Sequence, residues 1–480
     1  MALLSSCIIF LTFHQRNSIS SPKIYTLFLT ASIIWASLAL FVWVGGTNGN
    51  ALHLGLWALT SDAGIKPNGP FVNGNVLAIF NACAWLIATV CAMKTQRWWW
   101  WVLAFFFLCC VSISMAWGAW LAILPILLWL LIYCLSSKKY RLFSAVLLSV
   151  VMAWCAGQVM VQYMNNHDPV GAEVRIKNTS EHGIAARKLI WLSSYKMWQD
   201  HPWFGVGLGN MSAHYLTYQS KVLAESKEPL PEQVAVNSAH NILLQLLAEG
   251  GLLGLLLWLT ITGWLVVLSW RYRMRIMTSR AWPALACAWL LWIQGMGNIT
   301  LSRPYPILMF ALFLGLASAA SLRHTANVIV VKKQMVMLLL IPAIAYLAWA
   351  SVDKTQAWLD YERLSFSHIS ANEQAALAQS LVKEPTVLPY LIGDMIGDRP
   401  LHPDTQKSAL LLEPYLQQAL KLRQDPRLLQ QQFYIHVLNK RWEKACDIAT
   451  ILRPMKSQQA NQQALIDACN KKMPKAFAFH

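Results

Sequence analysis

The chain has 480 residues, 56% hydrophobic and 13% charged, with 24 Trp and a formal net charge of +17. A soluble globular domain carries nearer a quarter charged residues, so composition excludes that class and points to a membrane protein with interfacial aromatics. Five short connectors hold cations and no acid: Arg16 and Lys23; Lys94 and Arg97; Lys138, Lys139 and Arg141; Arg271, Arg273, Arg275 and Arg280; Arg323, Lys332 and Lys333. Positive charge sorted this way is a topology signal, not a nucleic-acid footprint.

A run of about 20 apolar residues crosses about 30 Å of hydrocarbon. Such runs are predicted at 24–44, 72–93, 98–113, 116–135, 141–162, 240–268, 281–300, 305–321 and 334–351. The shorter run at 2–13 is a further span, a shortened first helix or a sign of a misassigned start. It does not read as a cleaved signal peptide, since no basic segment precedes it. The expected fold class is all-α: a polytopic helical membrane protein of about 10 spans. It divides into N-terminal transmembrane helices (1–163), a large loop (164–239), C-terminal transmembrane helices (240–351) and a helical tail (352–480). Basic connectors stay in the cytoplasm, which puts the 45–71 segment, the large loop, the turn near 301–306 and the tail on the outer, periplasmic side.

In chain order, the Gly- and Asn-rich 45–71 segment reads as a loop with one short interfacial helix around 51–60. Asn73 and Asn75 open the next span, as helix caps or as a polar rim on a substrate cavity. In the large loop, Arg187, Trp191, Tyr195 and Trp198 recur at three- and four-residue spacing, which predicts an amphipathic interfacial helix ending before His201 and Pro202. Gly205, Gly207 and Gly209 follow. No strand precedes them, so a dinucleotide fingerprint is excluded, and their lack of side chains would let backbone approach a bulky ligand.

At the loop–span junction stands His240, with Ser238 as the expected N-cap of a long helix over 240–268. The helix dipole disfavours imidazolium there, so a neutral His240 suits a general base, although a capping or interfacial histidine has the same signature. Glu249 is an acid inside an apolar run, where such groups are usually functional. Nine residues place it on the opposite helix face, so it cannot orient His240 directly and is expected to hold another helix in place. In the tail, segments at 355–370, 372–383, 406–423, 427–439 and 442–453 read as helices, the last two forming a hairpin like a tetratricopeptide unit. Most cysteines lie in apolar runs as small hydrophobes. Cys446 and Cys469 lie in the tail and are candidates for a disulfide.

Three motifs occur in order. Gly69, Phe71, Asn73, Asn75 and Ala78 fit GxFxNxNxxA; Arg187, Trp191, Pro202, Gly205, Gly207 and Gly209 fit RxxxW followed by PxxGxGxG; His240, Asn241, Leu244, Glu249, Gly251 and Gly254 fit HNxxLxxxxExGxxG. Their order and spacing over roughly 60–325 resemble the O-antigen ligase and polymerase superfamily of bacterial membrane glycosyltransferases, which includes the protein O-oligosaccharyltransferases that glycosylate pilins. The resemblance implies an inner-membrane enzyme with its active site facing the periplasm. It would transfer a glycan from undecaprenyl-diphosphate to an acceptor hydroxyl, with no cofactor and no metal. By motif match, His240 would be the general base and Arg187 would bind the leaving diphosphate, with Arg175, Lys66, Asn75, Asn241, Arg303 and Tyr305 as further substrate-binding candidates. Three places depart from the family pattern: Met115 and Ala116 stand where a Ser-Arg pair is common, Lys66 stands where an Arg precedes the first motif, and Arg303 stands where the protein-glycosylating branch has Glu. The acceptor would be an exported protein such as a type IV pilin, since the helical tail resembles that branch. Lipid A–core, as in an O-antigen ligase, and a growing glycan, as in a polymerase, share the same core motifs. A lipid-linked-sugar flippase would need polar residues spread through several spans, and few are present.

Overall fold

The structure, a computed structural model, describes residues 21–45, 52–54, 57–61, 67–69, 73–167, 181–226, 230–231, 236, 238–273, 281–322, 413–421, 424, 426–439 and 441–452. The chain divides into two compact units. One, the bundle, comprises Met1–Ser180, His240–Ile242 and Leu257–Ala345; the other, the lobe, comprises Glu181–Ala239, Leu243–Leu256 and Tyr346–His480.

In the bundle the helices are α1 (Ser21–Gly45), α2 (Gly74–Thr95), α3 (Trp98–Ile113), α4 (Trp117–Ser136) and α5 (Tyr140–His167). The chain continues through α6 (Glu181–Asp200) and α7 (Met211–Glu225) of the lobe, then α8 (Ile242–Tyr272), α9 (Ala281–Gly295), a 3-10 turn at Thr300–Ser302 and α10 (Pro304–Leu322). Among the described residues, five helices are long and apolar enough to cross a membrane: Pro22–Phe41, Gly74–Thr95, Trp117–Ser136, Tyr140–Asn166 and Ile242–Arg271. Trp98–Ile113 and Tyr305–Ser318 are shorter apolar helices. This is a multi-pass membrane protein. The expected spans at 2–13 and 334–351 lie outside the described residues.

Central in the bundle is α2, with 94% of its apolar window buried, packed against α1, α3, α4 and α9. Its start is capped as Asn chemistry dictates: the Asn73 side chain accepts from the Asn75 and Val76 N–H groups at 2.9 and 3.3 Å. Gly157 of α5 lies so close to α3 that a Cβ there would fall 2.2 Å from Ser112 Oγ. Small residues permit such close approach where lipid supplies no hydrophobic drive between helices.

Where a short helix was expected around 51–60, the described residues 52–54 and 57–60 are strand. Strands β1 (Leu52–Leu54), β2 (Trp57–Ser61) and β3 (Pro67–Gly69) form a small antiparallel sheet in that order. Leu54 pairs with Trp57, so only Gly55 and Leu56 separate β1 from β2, a spacing that favours a hairpin over a helix. Pro67 stands on an edge strand, where its missing N–H is tolerated. The fold is therefore helical apart from this one sheet among the described residues.

The lobe joins loop to tail. Its tail helices are a segment at 413–421, then α11 (Pro426–Leu438) and α12 (Trp442–Leu452), packed as a hairpin. One apolar core contains Ile190 and Met197 of α6, Met211, Tyr215 and Leu216 of α7, and Leu429, Phe433, Ala445, Ile448 and Leu452 of the tail. Polar ties reinforce it: the Gln424 N–H donates to the Ser212 carbonyl at 3.0 Å, and the Thr217 N–H and hydroxyl both donate to Gln424 Oε1 at 3.1 Å. Arg441 grips Glu413 through two bonds of 2.6 and 3.1 Å. Lys221 donates to Asp200 at 3.0 Å and holds that carboxyl below its ordinary range, but both are half exposed, so the pair adds little stability. A shared core requires the large loop and the tail to lie on the same side of the membrane, as the charge pattern anticipates. Cys446 is disulfide-bonded; Cys469, its expected partner, lies outside the described residues.

Candidate functional site

The glycine series and the Glu249–Gly254 motif prove to be two halves of one device. In an unbroken helix the Leu252 and Leu253 N–H groups would donate to the Ala248 and Glu249 carbonyls. Gly251, at φ 61° and ψ −156°, breaks α8 at that point. The 202–207 segment enters the gap and substitutes for both rungs. Val206 and Gly207 N–H donate to the Ala248 and Glu249 carbonyls at 2.8 and 3.0 Å, and Leu252 and Leu253 N–H donate to the Pro202 and Trp203 carbonyls at 2.8 and 3.3 Å. Two helical bonds are lost and four cross-chain bonds replace them, so none of these four helix groups is left without a partner.

This insertion explains the residue types. A Cβ on Gly205 would sit 2.4 Å from the Glu249 carbonyl carbon, and one on Gly251 would sit 2.4 Å from the Trp203 carbonyl. Both glycines also have positive φ, 64° and 61°. The expectation that the series lets backbone approach a ligand is thus corrected at Gly205: what approaches is another stretch of backbone. Gly209 has φ 82° with open space around it. Glu249 reaches the other way, accepting from the Met211 N–H at 3.2 Å and from Gly209. Asn210, the residue before α7, provides no side-chain cap, so Glu249 caps α7 from a distance. The expected task of holding another helix is the one it performs.

A second clamp lies just before His240. Ala239 is fully buried; its N–H donates to Gln245 Oε1 at 2.6 Å, and its carbonyl accepts from the Trp191 indole N–H at 2.9 Å. Trp191 lies one turn from Arg187 on α6, whose opposite face, Leu189, Ile190, Ser193 and Met197, is buried. Arg187 itself is exposed. Helix α8 begins at Ile242, so Ser238 is too far ahead to be its N-cap and His240 stands outside the helix. His240 has φ 54°, rare for a residue with a side chain, and backbone strain of this kind costs about 1–3 kcal/mol and concentrates at functional sites. Both His240 and Asn241 are half-buried and group with the bundle.

Within the bundle, three further candidates share one end. Asn75 lies in the first turn of α2, half-buried, and its carbonyl accepts from Gln294 Nε2 at the end of α9 at 2.8 Å. The chain then turns through buried Asn298 and Thr300 to Arg303, exposed, and Tyr305, 53% exposed, at the start of α10. Gln294 Oε1 and Thr300 Oγ1 are buried without a partner among the described residues. Arg175 and Lys66 lie outside the described residues. Gln245 and Gln294 escaped the sequence reading; the available signal was a polar side chain within an otherwise apolar helical run.

Residues 101–259 match the family described as O-antigen ligase. That stretch contains Arg187, the inserted segment, His240 and the Gly251 break, but neither Asn75 nor Arg303. The matched stretch is 159 of the 480 residues, so what it shows is a likeness to that family over about a third of the chain. No curated protein matches the chain.

Proposed function

We propose that the protein transfers a glycan from undecaprenyl-diphosphate to a hydroxyl of an exported protein, a Ser or Thr of a type IV pilin being the favoured acceptor, at the periplasmic face of the bacterial inner membrane. The observation that carries the reading is the clamp on Ala239: the helix bearing Arg187 is hydrogen-bonded to the residue that precedes His240. His240 removes the acceptor proton as the hydroxyl oxygen attacks the anomeric carbon. The bond from that carbon to the diphosphate oxygen breaks, and the diphosphate leaves on the lipid. Arg187 offers a forked donor to the charge that develops there, and Asn75, Asn241, Arg303, Tyr305, Lys66 and Arg175 are assigned to donor and acceptor binding. A base must be neutral and within reach of the proton it takes, and a strained loop residue held by its neighbour's two hydrogen bonds is suited to that.

The protein acceptor is favoured by the tail, whose helices complete the lobe and so enlarge the surface offered to a folded partner. The second reading, a ligase acting on lipid A–core or a polymerase acting on a growing glycan, is favoured by the description of the matched family. His240→Ala should abolish transfer in membranes while leaving the fold intact; retained transfer overturns the assignment of the base. Deleting the protein in its host should remove sugar from pilin and leave the lipopolysaccharide ladder unchanged. A lost ladder with normal pilin supports the second reading instead.

A further inference from the structure

The inserted segment leaves its own tip bare. Trp203, Phe204 and Leu208 are 68%, 73% and 61% exposed, and Leu253 and Leu256 of α8 are 51% and 59% exposed. The helix length says what should cover them. The Gly251 break divides the 31 residues of α8 into a short piece before it and a piece from Leu252 that, at about 1.5 Å per residue, is roughly 30 Å long and matches the hydrocarbon thickness, which leaves the residues before Gly251 as surplus. The surplus lies at its start, where Ala248 is fully buried in the lobe core and Leu244 packs against it. From Leu252 onward about 20 apolar residues remain, enough to cross. Leu252 and Leu253 therefore open the crossing, and these are the two residues bonded to Pro202 and Trp203.

We propose that Trp203, Phe204 and Leu208 insert into the lipid leaflet at the level where the hydrocarbon begins, as an anchor that fixes the height of the lobe. Three observations converge on lipid as the occupant. The tip continues the apolar surface of Leu253 and Leu256, which a membrane-crossing helix turns toward lipid. Its composition, one Trp with Phe and Leu, is that of interfacial anchors. Its backbone is also suited to the place. Non-helical backbone is tolerated at membrane depth only where its polar groups are paired, and here the Pro202 and Trp203 carbonyls and the Gly205, Val206 and Gly207 N–H groups all have partners. The inference goes beyond glycan transfer and is tested without it.

The experiment places an environment-sensitive fluorescent amino acid at Phe204, and separately at Leu208, in the full-length protein in lipid nanodiscs. A control label replaces Lys221, half exposed on the lobe surface. Native folding is checked by amide protection at 252 and 253. The expected result is several-fold stronger quenching by lipids spin-labelled near the headgroup than by lipids labelled at the chain end, with weak quenching by aqueous iodide, and the reverse iodide response at position 221. Iodide quenching at 204 and 208 equal to that at 221 overturns the proposal. So does protection from all three quenchers, which would mean that protein covers the tip, and so does strongest quenching from the chain end, which would place it too deep.

Discussion

Replacing Gly251 with Ala should open the insertion that joins the 202–207 segment to α8. The new Cβ would meet the Trp203 carbonyl carbon and oxygen at 2.4 Å and the Phe204 nitrogen at 2.5 Å. All three are backbone atoms, which cannot rotate away as a side chain can. The φ of 61° and ψ of −156° lie in a region essentially restricted to glycine, a strain of about 1–3 kcal/mol. Overpacking adds about 1–3 kcal/mol. The total of about 2–6 kcal/mol matches or exceeds the net gain of two hydrogen bonds (four made, two helical ones given up), each worth about 1 kcal/mol net, so expelling the segment becomes competitive with keeping it. Gly209→Ala is the matched control, since φ 82° is strained but no atom lies within 4 Å. Hydrogen exchange by mass spectrometry on the full-length protein in nanodiscs should show exchange at 202–210 and 248–256 faster by roughly thirtyfold or more in Gly251→Ala, each 1.4 kcal/mol being about tenfold. Gly209→Ala should show a much smaller change. Wild-type protection in Gly251→Ala would refute the reasoning.

Three other substitutions or conditions probe the rest of the lobe. Phe433→Ala, at a tail side chain only 3% exposed, should cost about 3–5 kcal/mol and accelerate proteolysis of α6 and α7, not only of the tail; cleavage confined to the tail would show that the two do not share a cooperative core. Gln245→Ala leaves the buried Ala239 N–H without its acceptor, at about 1–3 kcal/mol, and should lower glycan transfer, while Gln245→Glu should restore part of it; equal activity in both variants would dissociate the clamp from catalysis. Burial holds the His214 and His436 imidazoles below the ordinary histidine value, with His201 adding to the effect at His214 and Arg441 at His436. The unfolded chain then takes up more protons below about pH 6.5, so lobe stability should be full above that value and decline as pH falls through it. Thermal unfolding across pH 5–8 reads this, and His436→Gln should flatten the profile.

Much of this was legible in the sequence because it is local. Helical periodicity and Pro202 set the end of α6, and Asn73 announced the cap of α2. The insertion into α8 was hidden for a physical reason. Its four bonds are between backbones more than forty residues apart, and backbone pairing leaves no side-chain signature beyond the glycines that make room for it. Gly251 stands among apolar residues and reads as an ordinary glycine in a continuous span. The sheet at 52–69 was missed because its two edge strands, three residues each, are too short to outweigh a Gly- and Asn-rich composition. The shared core was missed because an amphipathic helix reveals that it has an apolar face and not which face it meets. Among the site candidates, Asn75 at the start of α2 is tied to the end of α9 by the Gln294 amide, and the positive φ of His240 is a feature that no residue pattern encodes.

The union of loop and tail also has a temporal side. The inner face of α6 and α7 is completed by α11 and α12, which emerge some 200 residues later, after α8, α9 and α10 have been made. At about 5–20 residues per second, the ribosome needs on the order of 10–40 s to supply them. Throughout that interval Ile190, Met197, Tyr215 and Leu216 face water or a chaperone. The lobe is thus the last part of the molecule to mature, and each nascent chain passes through a window in which α8, α9 and α10 have been made and the lobe core is still incomplete.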